Sequence, residues 1–136
     1  MQEEEQVVFD TGSLARAELE SLLNALPLEV TFVDKEDILR YFSKSRQRIF
    51  PRTKASIGRT VQQCHPPKSI NAVNQILDDF RKGKRDTADF WINLEARLIY
   101  IRYFALRDKN EEYLGCIEVT QDVTDIKKIE GEKRLL

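Results

Sequence analysis

Apolar residues along this chain follow two rhythms, one helical and one alternating, and the switches between them mark its elements. The stretch "SLARAELESLLNALP" sets Leu14, Leu19, Leu22 and Leu23 at helical spacing around Ala15 and Ala17. Ser13 stands where an N-cap belongs and Pro27 bounds the far end, so a helix is expected over residues 14–25. "LEVTFVDKEDILRYFS" predicts two short strands around a polar turn at Asp34–Asp37. From Lys44 to Lys84 the pattern is broken by Pro51, Gly58, Pro66 and Pro67, which limits helices there to short pieces. The exception is "SINAVNQILDDFRKGK", where Ile70, Val73, Ile76, Leu77 and Phe80 make one apolar stripe. A helix is expected over 69–82, capped by Ser69 and stopped by Gly83.

Three strand-like runs follow, "DTADFWINL", "RLIYIRYFAL" and "EYLGCIEVTQDV", joined by the polar turns "EA" and "RDKNEE". "LIYIRYFAL" is apolar or aromatic at nearly every position, which predicts a sheet covered on both faces. In "TDIKKIEGEKRLL", Ile126, Ile129 and Leu135 start an amphipathic pattern, so residues 125–136 are expected to begin an exit helix. The start, "MQEEE", reads as a solvated leader, and residues 1–12 are expected to be flexible. Strands at both ends of a helical middle imply an α+β domain over 13–124. Its five-stranded antiparallel sheet carries helices across one face, with helices flanking it at both ends.

Composition narrows the function classes. The 136 residues include 22 Lys and Arg against 23 Asp and Glu, a net charge of −1 that recruits neither nucleic acid nor an anionic membrane. No apolar run reaches the roughly 20 residues that span a bilayer. Two lone cysteines, Cys64 and Cys116, form no disulfide framework, which suggests a reducing, cytoplasmic setting. "QQCHPPKSI" holds the only histidine, His65. Adjacent Cys64 and His65 do not aim at one another, and five glycines form no phosphate loop, so no catalytic pattern is present. Structural zinc wants four Cys or His ligands and only three such residues exist. His65 therefore reads as a proline-bounded corner residue with its ring bonded to backbone, with contact to an organic ligand or a metal as the alternatives. Phe90, Trp91, Tyr100 and Phe104 read as core or interface packing. Arg102 and "RKGKR" read as solvated charge.

Several of these segments resemble the PAS sensor fold. "LPLEVTFVDKEDILRYFS" looks like its first hairpin and "IGRTVQQCHPP" like its short-helix region. "YLGCIEVTQDVTDIKKIE" looks like its last strand, closing on the Asp122-Val123-Thr124 motif that precedes a signalling helix. "CHPPKS", "ILDDF", "DFWI" and "YIRYFA" further resemble the C-terminal PAS module of bacterial and archaeal proteins that also carry a haemerythrin-like domain. The resemblance implies a non-enzymatic sensory and signalling module, frequently a homodimer. Such a module works beside an adjacent effector or sensor domain and relays a signal from a small-molecule pocket through its exit helix. The alternative is a ligand-free dimerisation domain whose cavity is filled by side chains.

In this family the residue two before the exit Asp faces the cavity. Strand parity then places Thr120, Glu118 and Cys116 inside; similar counting before "RD" places Ile101 and Tyr103 inside, and before Asp34 Val33 and Thr31, with His65 at a corner near this pocket. Ile117 and Val119 would face outward, and a register slip of one would exchange every assignment. Asp122 and Thr124 would hold the exit turn through side-chain-to-backbone bonds. No cofactor is named. Haem sensors of this kind place a histidine on the long helix, which has none, and "VQQCHPP" does not match the Asn-Cys-Arg-Phe-Leu-Gln run of flavin-binding relatives.

Overall fold

The computed structural model describes residues 5–45 and 48–136. Its central element is a five-stranded antiparallel sheet of order β4-β3-β7-β6-β5. The strands are β3 (Glu29–Asp34), β4 (Leu39–Phe42), β5 (Thr87–Leu94), β6 (Arg97–Arg107) and β7 (Tyr113–Asp122). Pairing of β3 with β7 puts Glu29 opposite Thr120, Thr31 opposite Glu118 and Val33 opposite Cys116. On the other side of β7, Ile101 faces Thr120 and Tyr103 faces Glu118. Buried and half-buried residues alternate along β3. Alternation at period two is what one packed face requires.

Across that packed face lies the helix α2 (Pro67–Arg81), which buries Val73, Leu77 and Phe80. These meet Val33, Val61, Ile99, Ile101, Tyr103 and Cys116 in one core. The helix starts two residues before the sequence predicts. Pro67 takes N1, where a missing N–H costs nothing, and Ser69 is not the cap: its hydroxyl donates back to the Pro66 carbonyl at 3.3 Å. At the other end Gly83 adopts φ +70. The Gly83 amide then reaches Phe80 O at 3.3 Å and the Lys84 amide reaches Asp79 O at 2.9 Å, the paired bonds of a Schellman stop.

Between β4 and α2 the described residues form two 3-10 turns, Lys54–Ser56 and Val61–Cys64. They are stitched to the β3–β4 turn: Leu39 N donates to Arg59 O at 2.9 Å and Val61 N to Asp37 O at 2.8 Å. Asp37 itself, at φ +67, receives the Arg81 guanidinium and the Gln62 amide, which ties the turn to both ends of the helical middle. Asp34 closes the same turn by accepting from Glu36 N and Ile38 N. Burial pushes the Asp34 carboxyl up, but the Ile38 and Glu36 amides and Arg40 outweigh it and hold it below its ordinary range.

Two expectations at the ends need correction. Of the leader expected to be flexible over 1–12, residues 1–4 lie outside the described residues, and the remainder enters a hairpin, β1 (Gln6–Phe9) with β2 (Gly12–Ala15), running into α1 (Arg16–Ala25). Asp10 and Thr11 make the turn and Gly12, at φ +148, opens β2; "QVVF" is four residues long and does not alternate, so no strand pattern marks it in the sequence. Beyond Asp122 there is one 3-10 turn, Ile126–Lys128, where an exit helix is expected. Gly131 at φ +63 interrupts any continuation, and from Asp125 onward Ile126 and Ile129 are the apolar positions ahead of it. The outer face of the sheet is covered less than the dense apolar pattern of β6 predicts. α1 lies along its β4 side, where Asn24 Oδ1 accepts from Lys44 N at 2.7 Å, but it buries no residue fully. Trp91 on the edge strand β5 remains 64% exposed.

Candidate functional site

The residues that parity places inside do share one face. Thr31, Val33, Ile101, Tyr103, Cys116, Glu118 and Thr120 are all buried there, in three antiparallel rows across β3, β7 and β6. His65 stands apart from them. It is half-buried at the end of the second 3-10 turn, its Nδ1 is 2.9 Å from the Val61 carbonyl, which accepts, and it does not line the space beneath α2. Its neighbour Pro66 fixes that corner.

The space beneath α2 is nearly full. Val33, Val61, Val73, Leu77, Tyr103 and Cys116 close around a void of about 10 Å³. One water needs about as much, and organic ligands occupy roughly 300–1,000 Å³. Haem and flavin do not fit this interior as it is packed, and α2 carries no histidine to ligate an iron. Large side chains, Ile76 and Leu77 from α2 and Tyr103 from β6, take the volume.

Polar groups on this face are paired internally. Thr120 Oγ1 donates to Glu118 Oε1 at 3.3 Å. Arg52 approaches Glu118 at 3.7 Å and Arg48 approaches Glu29 at 3.6 Å. Arg48 also donates to Ser43 O at 2.6 Å and to Phe50 O at 3.1 Å, and Glu29 accepts the Ile49 amide. Arg48, Arg52 and Glu29 were not singled out from the sequence. The signal was available: Glu29 lies two residues before Thr31 on the same strand face, and Glu118 was placed inside. Two inward carboxylates demand two cations, and "SRQRIFPR" is the basic run nearest in the chain to β3 and β4.

Burial, and then the Glu118 charge, push the Tyr103 phenol up. Burial likewise pushes the Cys116 thiol up to about 12. A thiol held protonated is a poor nucleophile. A disulfide reagent at pH 8 is therefore expected to modify half-buried Cys64 rapidly and Cys116 only at the unfolding rate; equal rates for the two would contradict the packing. The same shift gives a pH dependence. The stabilisation that a protonated Cys116 allows is complete below its ordinary thiol value of 9.0 and is lost as pH rises from there towards about 12, because only the unfolded chain sheds the proton in that window.

At the end of the sheet the exit motif is clamped to β6. The Thr124 hydroxyl accepts from Leu98 N at 2.9 Å and donates to Asp122 Oδ1 at 2.6 Å, while Val123 N donates to Leu98 O at 2.9 Å. Thr124's hydroxyl and amide bonds hold the Asp122 carboxyl below its ordinary range. Beside this clamp opens a groove of about 630 Å³, between the end of α1, the Ile49 segment and the strand ends. Asn24, Leu26, Glu29, Arg97, Thr120 and Asp122 are among its walls, with Asp125 at the rim. On the opposite face Arg102 is not free in solvent. It stacks over Tyr100 at 4.8 Å and Phe104 at 5.8 Å and donates to Gln121 at 3.3 Å.

A five-stranded sheet with helical segments across one face and a clamped strand exit defines a sensor-type α+β domain. The sequence matches the PAS domain family over residues 19–124, and the chain belongs to that family, whose members serve as sensory and signalling modules. A crystal structure of a C-terminal domain from Streptococcus mutans is 34% identical with a TM-score of 0.87, over 93% of this chain and 98% of that one. The PAS domain of BvgS from Bordetella pertussis aligns at 19% identity and TM-score 0.60, over 81% of this chain and 87% of that one. A sensory box sensor histidine kinase from Vibrio cholerae aligns at 12% identity and TM-score 0.57, over 80% and 91%. No curated protein matches. Among the described residues no helix is long and apolar enough to cross a membrane.

Proposed function

We propose that this domain is a non-enzymatic, cytoplasmic relay that passes the state of its sheet to an adjacent domain through the segment after Asp122. One observation carries the reading: a single hydroxyl, that of Thr124, joins the backbone of β6 to the Asp122 carboxylate that ends β7. Any change in how β6 and β7 pair at this end alters the path of the chain beyond them. The packed interior favours the form of this reading in which no ligand sits beneath α2. The partly open outer face, with Trp91 and Leu22 exposed, is where a second copy would pack, making the working unit a homodimer. Sedimentation as a strict monomer at high concentration would remove that part. The Streptococcus mutans neighbour is a C-terminal domain, which supports placing this one at the C-terminus of a longer protein. A haemerythrin-like domain is the partner that the sequence resemblance suggests.

The test replaces Thr124 by Val. Losing one acceptor costs about 1–2 kcal/mol locally and is expected to speed exchange of the Leu98 amide about tenfold or more. In a chimera that carries this domain in place of the PAS domain of a sensor histidine kinase, Thr124→Val is expected to change autophosphorylation several-fold. A loosened Leu98 amide with unchanged kinase output would end the relay reading.

A further inference from the structure

We infer that the open edge of β5 is the seam of a homodimer, in which β5 of a second copy pairs with it antiparallel and the two five-stranded sheets become continuous. This deepens the homodimer reading above and rests on it, placing the contact along the strand edge from which Trp91 projects. Exposure singles out that edge. Phe90, Trp91 and Ile92 are 40%, 64% and 38% exposed, and successive residues of a strand point to opposite faces. Phe90 packs towards Tyr103 at 5.9 Å on the inner face, whereas Trp91 meets Tyr100 at 6.3 Å on the outer one. A partner lying on one face would leave the other bare. A strand added at the edge covers both.

The backbone agrees. Ala105 N donates to Asp86 O at 2.8 Å, and Val123 N to Leu98 O at 2.9 Å. With the unbroken register of β5 on β6, these bonds aim Ala88, Phe90 and Ile92 at β6 and turn the N–H and C=O groups of Asp89, Trp91 and Asn93 outward. Among the described residues no strand pairs with that side. The opposite edge is sealed: β4 is four residues long, and Leu39 donates to Arg59 O and accepts from Gly58 N. β5 runs for eight residues without proline, lysine or bulge, the devices that keep an edge from pairing. It also complements itself, as a two-fold axis requires. In a pair centred on Trp91, Asp89 stands opposite Asn93, Phe90 opposite Ile92 and Ala88 opposite Leu94, so the one charge in the strand never meets its like. Ile92 of the second copy then lies at the mouth of a groove of about 420 Å³ that Ala72, Ile76, Ala88 and Phe90 line beside α2. Asn93 pairs with Leu98, the residue held by Thr124 and Val123, so the seam bears on the exit clamp across a single strand.

Sedimentation equilibrium and amide exchange, each across a wide range of protein concentration, test the seam. Association is expected to slow exchange at Asp89, Trp91 and Asn93 about tenfold or more, while Phe90 and Ile92, already bonded to β6, stay as they are. Trp91→Lys, at an exposed side chain, and Asn93→Pro, which removes an outward N–H, are each expected to weaken the dimer about tenfold or more. Leu22→Glu on α1 is expected to leave it intact. Wild-type exchange at Phe90 and Ile92 shows that a variant keeps its β5–β6 ladder. The two readings fail separately. A dimer that gives the outward amides no protection, or that Leu22→Glu dissociates and Trp91→Lys does not, overturns the seam and leaves the homodimer reading standing. A monomer at every concentration removes both.

Discussion

Arg48→Met is expected to destabilise the domain by about 3–5 kcal/mol, the loss seen when one member of a buried ion pair is removed. Arg48 is the hub of the segment beneath the sheet: it holds the Ser43 and Phe50 carbonyls and faces Glu29. Without it a carboxylate that is 4% exposed has, among the described residues, the Ile49 amide as its remaining partner. Its stacking over Phe42 at 5.2 Å also goes, although a methionine replaces part of that contact. The pairing predicts a rescue. In Glu29→Gln/Arg48→Met the uncompensated charge is gone, and about half or more of the lost stability should return, since replacing both members of a buried pair is often nearly neutral. Chemical denaturation of the wild type, the two single variants and the double variant closes the cycle. Additive losses would show that Arg48 acts through its carbonyl bonds and not through Glu29.

Gly115→Ala should cost about 2–5 kcal/mol, combining roughly 1–3 for a strained backbone with roughly 1–3 for overpacking. Gly115 lies in β7 opposite Asp34 at φ +141, a conformation side chains rarely adopt. A methyl group there would collide with the Val33 carbonyl oxygen and come within 2.9 Å of Asp34 Cα. Both obstacles are backbone of the central strand pair, so neither can swing aside. Denaturation midpoints measure the loss, and amide exchange should show protection falling first around Val33 and Cys116. A stability change within about 0.5 kcal/mol of wild type would mean the β3–β7 pair is looser than this register implies.

Much of the sheet was legible because its pattern is local. Alternation in "EVTFV" and the polar turn at Asp34–Asp37 are set by neighbours in the chain, and counting by two back from Asp122, from the "RD" turn and from Asp34 picks seven residues that are all buried. What the sequence hid depends on partners far along it. Whether a face at Tyr103 and Cys116 encloses a hollow or a packed core depends on which large side chains α2 brings down, and Ile76 and Leu77 close it. Arg48 lies in a segment with no periodicity, so its role follows only from the carboxylates it answers. Trp91 looks like core by type, yet β5 is the sheet's edge and leaves it open. His65 was placed correctly at a corner but also grouped with the pocket, because two prolines fix a bend without saying which way its ring turns.

The central pairing of β3 with β7 also governs how this chain reaches its native state. It joins Glu29 to Thr120, segments separated by most of the chain, whereas β5, β6 and β7 need only short turns to meet. Closing that long loop comes before its contacts repay the entropy, so the C-terminal meander is positioned to assemble early and the β3–β4 hairpin to dock late. On the ribosome the order of appearance is the reverse. The β3–β4 hairpin emerges with a bare apolar flank and must wait for β7 to be synthesised, which makes the nascent N-terminal half the species most in need of a chaperone.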